Sequence, residues 1–366
     1  MRRGIRSETI VFTSRDRAET DDDWIPSMIA IYERLPKPPI PETTKGETTS
    51  IKPTRVIRSV LVFALVGTAL YAGVAVSSNY DAVVSALLSF PLTALIVVIL
   101  LVFWGWFIRA IRFHYYLKKC GERVPLLYAL CAFLAGFALT GTPGKVGEAV
   151  KGVFLREDYQ VPVSRTLGIL VIERLMDLWG VLFLGSFSFL MFSGWVSLFL
   201  ICAGIVLGTG IFLCVERLYR PVLEKLGKFS ILSWIAQKLL ETLITGKELL
   251  TVRIFLVGFA LSVVAWGMES VCMYIILAGL GLPGSLLEAN FVYCFSTIVG
   301  AVSMLPGGIG GAEAGMFGLL SFLGVSYAEA VPAVILIRVC TLWLAVFVGC
   351  IFMWYFLLRT SSAEKR

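Results

Sequence analysis

Two clusters of charged residues interrupt apolar segments of this chain, and their types and spacing could do chemistry on an anionic ligand. Arg109 and Arg112 are three residues apart, and Glu173 and Arg174 precede Asp177 by four and three residues. Residues with this spacing share one face of a helix. The first cluster either anchors a helix end at the membrane surface or binds a lipid headgroup. The second cluster forms either an internal ion pair or a clamp on a substrate.

Single ionisable residues also lie deep in two later apolar segments. Glu269 stands near the middle of one segment, and Arg338 lies in the outer third of the last. A charged group at such depth costs about 2.5–3.5 kcal/mol on insertion scales, so each is a candidate for function. Glu269 should pair with an arginine or carry a proton for a transport cycle; the alternative is a protonated residue that only packs within the bundle. Arg174 and Arg338 are predicted to bind phosphate, because a guanidinium group forks onto phosphate oxygens.

Two Pro-Gly motifs break the apolar pattern at distant places. The first reads Gly141-Thr-Pro-Gly-Lys-Val-Gly-Glu148, and the second reads Leu305-Pro-Gly-Gly-Ile-Gly-Gly-Ala-Glu313. Such residues free backbone groups that are tolerated at membrane depth only where protein or a water-filled cavity satisfies them. We predict that Thr142 caps a half-helix with Pro143 as its first residue, so that its N–H groups face an anion.

The substrate-binding residues predicted from these features are Arg109, Arg112, Thr142, Pro143, Gly144, Gly147, Glu148, Arg174, Asp177, Glu269, Pro306, Gly307, Gly308, Gly310, Glu313 and Arg338. Glu148 and Glu313 fall in the first turn after each break, where helix capping is the simplest explanation. We therefore expect their replacement by glutamine to lower mainly stability or substrate affinity. Glu269→Gln is expected to preserve folding and to abolish any pH-dependence of transport.

The composition excludes several classes of protein. Of 366 residues, 58% are hydrophobic and 16% charged, and the mean hydropathy is +0.85, which is typical of a helical membrane protein. The chain has one histidine, His114, and eight cysteines without a Cys-x-x-Cys pair, so we predict neither a metal site nor a disulfide frame. The Gly-rich second motif lacks the Lys-Ser/Thr of a phosphate loop. We therefore expect no enzyme activity, no cofactor and no nucleic-acid partner.

Apolar segments and basic residues together predict an all-α, polytopic protein of the cell membrane with both termini cytoplasmic. It would have about six full spans and two re-entrant hairpins, because two apolar segments are shorter than the roughly 20 residues needed to cross. Residues 1–52 are predicted to form a disordered cytoplasmic tail. The first half is predicted over residues 53–215, with a hairpin at 125–156, and an interfacial linker over residues 216–252. Residues 253–358 form the second half with a hairpin at 290–324, and 359–366 the cytoplasmic end.

The two halves overlay at a nearly constant offset. Trp266 follows Trp104 by 162 positions, Pro306 follows Pro143 by 163, and Arg338 follows Arg174 by 164. Because the first hairpin is predicted to enter from inside and the second from outside, the repeats should be inverted. Inverted repeats with broken helices near the midplane are the architecture of secondary transporters.

Five motifs in order also resemble a known family. They are Arg109-x-x-Arg112, Pro143-Gly-x-x-Gly-Glu148, Glu173-Arg174-x-x-Asp177, Pro306-Gly-Gly-x-Gly-x-x-Glu313 and Arg338. Over about residues 56–358 the chain is similar to the lysylphosphatidylglycerol synthase transmembrane-region family, also called the flippase-like domain. The resemblance implies a relative of the lipid-flipping half of bacterial aminoacyl-phosphatidylglycerol enzymes, without room for the synthase domain. Similar domains are fused to membrane glycosyltransferases.

Two functions are therefore expected to compete. The first is an integral membrane lipid transporter or flippase-like protein that moves a phospholipid or other phosphate-bearing lipid between leaflets. The second is a non-catalytic membrane partner subunit of a lipid-modifying or lipid-linked glycan assembly enzyme. The expected partners are membrane lipids with an anionic or phosphate-bearing headgroup, and a lipid-modifying enzyme or glycosyltransferase in the second case.

Overall fold

The fold is known from a computed structural model, which describes residues 80–142, 147–188, 215–227, 249 and 251–363, with further helical positions between 63 and 73 and between 196 and 212. The described residues are helices and their connections, without a strand, so the predicted all-α class is confirmed. The predicted tail, residues 143–146 and most of the predicted linker lie outside the described residues. Their interpretation stays a prediction.

The described helices that we label are α1 (Tyr80–Ser89), α2 (Leu92–Lys119), α3 (Leu126–Gly136), α4 (Val150–Tyr159), α5 (Val163–Ser188), α6 (Glu216–Gly227), α7 (Val252–Gly279), α8 (Leu286–Val302), α9 (Gly311–Phe322), α10 (Tyr327–Arg338) and α11 (Leu344–Ala363). Short 3-10 turns at Phe137–Leu139 and Pro306–Gly308 interrupt the two hairpins. A π-helical turn at Val339–Trp343 joins α10 to α11.

Among the described residues, three helices are long and apolar enough to cross a membrane: α2, α7 and the run Tyr327–Leu358 through α10 and α11. Helix α5 has 26 residues, but Arg165 and the cluster at 173–177 give it four charged residues. Because of these charges, α5 is not among the helices that are apolar enough to cross a membrane by length and composition. The predicted class of helical membrane protein is thus confirmed, and the count of about six spans stays a prediction.

Helices α2 and α7 cross antiparallel at the centre of the bundle. The Cys272 thiol donates to the Val98 carbonyl oxygen at 3.6 Å near one end, and the Tyr116 hydroxyl fills the space beside Gly258 near the other. Between them, Gly105 packs against the Ala265 carbonyl. A bulky side chain at this crossing would force the two helices apart.

The bounds of these two helices correct the predicted overlay. Their first residues, and also their last residues, are 160 positions apart. This offset places Trp266 on Trp106, rather than on Trp104. The environment agrees, since Trp106 is buried and Trp104 is 55% exposed. Gly105 and Ala265, which touch at the crossing, are equivalent positions by the same offset.

The two hairpins also pack in equivalent ways. Gly136 at the end of α3 lies against the backbone of Glu148, and Gly300 in α8 lies against Ala312. Both members of the second contact are 164 positions after those of the first. The absence of a side chain at each glycine lets the two arms of the hairpin approach closely.

Several element ends differ from the predicted ones. Helix α4 begins at Val150, and the predicted start at Pro143 lies outside the described residues. Helix α8 begins at Leu286 and not near 290, because the side chain of Ser285 accepts from the N–H of Glu288 in a capping box. Ser326 forms the same kind of box, so α10 begins at Tyr327. Capping by polar residues thus extends both helices beyond their apolar parts.

Candidate functional site

Ten ionisable side chains of the described residues pair inside the bundle. A charge buried at low dielectric is costly unless it is paired and hydrogen-bonded. Five cations meet five carboxylates one to one, so the cluster is neutral by count. The pairs are Arg109–Glu269 at 2.5 Å, Arg112–Asp177 at 2.8 Å, Lys151–Glu173 at 2.6 Å, Arg174–Glu148 at 3.1 Å and Arg338–Glu313 at 2.6 Å.

The pair of Arg109 and Glu269 bridges α2 and α7 near their crossing. These two residues are 160 positions apart and therefore occupy equivalent places in the two halves. The Tyr293 hydroxyl of α8 also donates to Glu269, and the guanidinium carbon of Arg109 lies 4.2 Å from the centre of the Trp266 ring. Of the two predicted states of Glu269, the structure thus has the arginine partner.

Asp177 connects two arginines of different helices. Its Oδ1 pairs with Arg112 of α2 and accepts from the Ser262 hydroxyl at 2.9 Å, and its Oδ2 lies 3.6 Å from Arg174. The predicted internal ion pair of Arg174 and Asp177 is therefore present. Arg112 is almost fully buried, so it is not an anchor at the membrane surface.

Lys151 lies at the start of α4, within the predicted first hairpin, and is buried. Its ammonium group lies 2.6 Å from Glu173 and 4.2 Å from the centre of the Phe113 ring. Helix α4 packs against α5 at this place, with Gly152 in contact with Thr166. Lys151 therefore pairs with Oε2 of Glu173, while Arg174 on the next position of α5 pairs with Glu148.

Arg338 and Glu313 form a tightly held pair at the second break. Glu313 accepts the N–H of Gly310 at 2.7 Å and the Tyr71 hydroxyl at 2.7 Å. Arg338 donates from Nε to Glu313 at 2.6 Å and from Nη2 to the Gly307 carbonyl at 2.9 Å. The predicted capping role of Glu313 is thus confirmed, and its backbone partner belongs to the start of α9.

The first break is built differently. The Thr142 hydroxyl accepts the N–H of Gly147 at 2.7 Å and donates to the Leu139 carbonyl at 2.9 Å. Thr142 thus stabilises the turn before α4, and the predicted helix start at Pro143 lies outside the described residues. Glu148 follows in this turn, and its carboxylate reaches Arg174 of α5.

Two cavities adjoin this network. The smaller one, of about 80 Å³, is polar and includes Arg109, Glu148 and Glu269 in its lining. The larger one, of about 300 Å³, is mostly apolar, and Val181, Ile298 and Met316 are examples of its lining residues. The residues common to both cavities are Arg174, Trp266, Gly307 and Arg338. We call the smaller cavity the polar chamber and the larger one the apolar cavity.

The structure brings half of the predicted site residues to these cavities. The residues that line one or both are Arg109, Glu148, Arg174, Asp177, Glu269, Gly307, Gly308 and Arg338. Those that lie outside both linings are Arg112, Thr142, Gly147, Pro306, Gly310 and Glu313. Arg112 and Glu313 each pair with a lining residue, Asp177 and Arg338 respectively. Thr142 and Gly310 form hydrogen bonds within the two breaks. Pro143 and Gly144 lie outside the described residues.

Aromatic residues of the site were missed by the sequence analysis. Trp106 lines the polar chamber and Trp266 lines both cavities, while Tyr293 holds Glu269. A signal was present, because Trp106 precedes Arg109 by three positions and Trp266 precedes Glu269 by three. An overlay at 160 positions would have brought these two Trp-x-x-charge patterns together.

The fold and the site define a helical membrane protein whose interior holds a charge-paired polar chamber beside an apolar cavity. Comparison with known proteins gives the family: residues 57–349 match the profile of the lysylphosphatidylglycerol synthase TM region. The chain therefore belongs to this family, and the resemblance seen in its motifs is confirmed.

Relatives among curated proteins carry the name UPF0104 membrane protein. One from Methanothermobacter thermautotrophicus is 24% identical in an alignment that covers 60% of this chain and 71% of the relative. One from Methanocaldococcus jannaschii is 24% identical over 61% of this chain and 95% of its own. One from Pyrococcus horikoshii is 26% identical over 66% and 81%. These names describe membrane proteins and nothing more specific.

Proposed function

We propose that this protein is a lipid transporter that moves a phosphate-bearing lipid between the leaflets of the membrane. The observation that carries the proposal is the shared wall of the polar chamber and the apolar cavity, which contains Arg174 and Arg338. A lipid has a charged headgroup joined to apolar chains, and it needs these two environments side by side. A cavity of about 300 Å³ is at the lower end of the range typical of ligand sites.

Arg174 is the cation best placed to meet a headgroup. Its side chain is 33% exposed, whereas the side chains of the other four cations in the network are at most 11% exposed. Its Nε has no hydrogen-bond partner among the described residues. A guanidinium group with free donors can form two parallel hydrogen bonds to phosphate oxygens, which an ammonium group cannot.

The antiparallel crossing of α2 and α7 supports a transport mechanism. Equivalent helices that touch at equivalent residues and run in opposite directions are related by a two-fold axis perpendicular to them. For helices that cross the membrane this axis lies in the membrane plane, which is the relation of inverted repeats. We therefore retain about six spans and two re-entrant hairpins as part of the proposal, with the site between the two halves.

The proposal predicts that Arg174 is needed for lipid movement. We expect Arg174→Gln to slow the flipping of fluorescently labelled phosphatidylglycerol in proteoliposomes by about tenfold or more, because a charge-assisted contact is lost. Arg174→Lys should also be slow, since lysine binds phosphate as a point charge. The measurement is the rate at which a membrane-impermeant quencher eliminates the label of the opposite leaflet.

Arg165→Gln is the matched control. Arg165 lies on the same helix as Arg174, is 37% exposed and pairs with Glu122 away from both cavities. A surface pair of this kind contributes about 0–1 kcal/mol, so the control should flip lipid like the parent. Equal rates for the parent and both Arg174 variants would make Arg174 a structural residue. A folded parent that moves none of a panel of phosphate-bearing lipids would favour the role of a partner subunit.

A further inference from the structure

We propose that Glu148 occupies the headgroup's place on Arg174 in the empty protein, and that a phosphate-bearing lipid displaces it as Glu148 takes up a proton. The inference rests on the proposed function and concerns how the same site selects and releases its ligand. It makes Glu148 an internal competitor of the lipid rather than one of its ligands, so the lower affinity expected from the sequence for Glu148→Gln is replaced by a higher one.

The two equivalent ion pairs differ in how firmly they are held. Glu313 also accepts from the Gly310 N–H and the Tyr71 hydroxyl, and Arg338 also donates to the Gly307 carbonyl. The pair of Glu148 and Arg174 is longer, at 3.1 Å, and Arg174 is the only side chain to which Glu148 pairs among the described residues. One half of the molecule thus has a fixed pair, and the other half has a pair that can exchange.

The loose pair of Glu148 and Arg174 lies in the lining of the cavities. Both Glu148 and Arg174 line the polar chamber, and Arg174 also lines the apolar cavity. A carboxylate and a phosphodiester both present oxygen acceptors with a negative charge. When a headgroup enters from the apolar cavity, the carboxylate of Glu148 is already paired with Arg174. Binding therefore exchanges one anion for another.

The charges of the described network balance one another before a lipid binds. The network holds five cations and five carboxylates, so a bound phosphate adds one uncompensated negative charge to a site of reduced dielectric. An uncompensated buried charge is costly. A proton transferred from solvent to the displaced Glu148 carboxylate restores neutrality. The lipid anion and one proton then enter the site together.

Glu148 is the carboxylate of the chamber that is free to accept this proton. The charged groups that face it there are Arg109, Arg174, Glu269 and Arg338, and Asp177 faces it through Arg174. Glu269 keeps Arg109 and Tyr293 as partners, and Asp177 keeps Arg112 and Ser262. Among the described carboxylates of the chamber, Glu148 is therefore the one whose paired cation is lost when the headgroup binds Arg174.

The test is a calorimetric titration of the full chain in maltoside micelles, a detergent without phosphate. The probe is short-chain phosphatidylglycerol, a phosphodiester whose charge is constant over the pH range used. Glycerol phosphate in a second arm distinguishes a lipid headgroup from a free phosphate. Titration in two buffers of different ionisation enthalpy gives the number of protons taken up per bound lipid.

We expect Glu148→Gln to bind the lipid about tenfold more tightly than the parent at neutral pH, because the competitor is gone. The parent should take up about one proton per lipid and bind more tightly as the pH falls, and Glu148→Gln should do neither. Arg174→Gln should bind at least about tenfold more weakly. Glu313→Gln, the matched control in the fixed pair, should bind no more tightly than the parent.

The inference is overturned if a folded Glu148→Gln binds as weakly as Arg174→Gln, since Glu148 then only positions the arginine. If Glu148→Gln is not recovered folded, the parent protein alone tests the inference. Lipid binding by the parent without proton uptake overturns the exchange. Loss of all lipid binding in the parent would refute the proposed function instead. Equal affinity for glycerol phosphate and the lipid would assign the exchange to a free phosphate.

Discussion

Arg109 is held on two sides within the bundle. Glu269 pairs with it at 2.5 Å, and the Trp266 ring lies under its guanidinium group at 4.2 Å. Its pair is shorter than that of Arg174, and its side chain is only 11% exposed. Arginines of the same chamber thus differ in how firmly they are held. The firmly held one is expected to fix the crossing of α2 and α7, while Arg174 exchanges partners.

This difference changes the expectation for Glu269. The sequence analysis predicted that Glu269→Gln preserves folding and abolishes the pH-dependence of transport. With Arg109 as its partner, we now expect Glu269→Gln to lower the free energy of unfolding by about 3–5 kcal/mol, because a buried arginine is left unpaired. Denaturant unfolding in detergent, followed by circular dichroism, measures the change.

A double-mutant cycle is the control for this prediction. Arg109→Gln combined with Glu269→Gln removes both charges, so the double variant should be more stable than the sum of the two single losses implies. If the two losses simply add, the residues do not stabilise the protein as a pair, and the earlier expectation for Glu269 stands.

At the scale of elements, glycines decide how closely the helices approach. A β-carbon at Gly349 in α11 would lie 2.2 Å from the Ala138 nitrogen in the turn after α3. That atom belongs to the backbone, so it cannot move aside as a flexible side chain can. Helix α11 therefore lies directly on the first hairpin and holds the segment that leads to Thr142 and Glu148.

We predict that Gly349→Ala lowers the melting temperature and that Gly318→Ala does not. Both changes add one methyl group within a helix, and both gain up to about 1 kcal/mol of helix propensity. A β-carbon at Gly318 in α9 meets nothing within 4 Å, whereas overpacking at Gly349 should cost about 1–3 kcal/mol. Thermal unfolding of the detergent-solubilised variants provides the comparison. A rise in both melting temperatures would show that α11 does not pack tightly on the hairpin.

At the scale of the whole molecule, the outward face is apolar while the charges meet inside. Leu88, Leu100, Leu127 and Phe347 are each more than half exposed. In water such a surface would aggregate, but in a bilayer it contacts lipid chains. The neutral charge network then lies in the interior, where each charge has its partner and costs less.

The topology prediction belongs to this scale. In a cysteine-free background, we expect Ser285→Cys to react with an impermeant thiol reagent from outside, and Lys119→Cys and Arg156→Cys only from inside, because basic residues stay cytoplasmic. All three native side chains are exposed. Arg156 is the reporter of the first hairpin, since the neighbouring Lys151 is buried. Labelling of Arg156→Cys from outside would contradict a hairpin that enters from the cytoplasm.

Ser193 and Lys228 complete the test, although they lie outside the described residues. Cysteine at 193 should react from outside and cysteine at 228 only from inside, as their flanking charges predict. Reaction of Ser285→Cys and Lys119→Cys from the same side would remove the inverted relation of the two halves. The antiparallel crossing of α2 and α7 would then need another explanation.

The sequence by itself determined the class and much of the site. Strong hydropathy and the family motifs predicted an all-α membrane protein, because local composition decides whether a segment can lie in lipid. The spacing of Arg174 and Asp177 and the position of Glu313 after Gly310 predicted contacts that the structure has. Such contacts span a few residues of one helix, so their geometry follows from the helix alone.

Only the tertiary structure decided which charges meet across elements. Lys151 pairs with Glu173 across 22 residues, and Arg109 pairs with Glu269 across 160. Any arginine of the interior could satisfy any carboxylate by charge, so composition and spacing do not select a partner. The crossing of α2 and α7 and the packing of the hairpins bring particular side chains within reach. The same packing holds one equivalent pair firmly and leaves the other loose, because Glu313 has further partners, whereas Glu148 pairs with Arg174 alone among the described side chains.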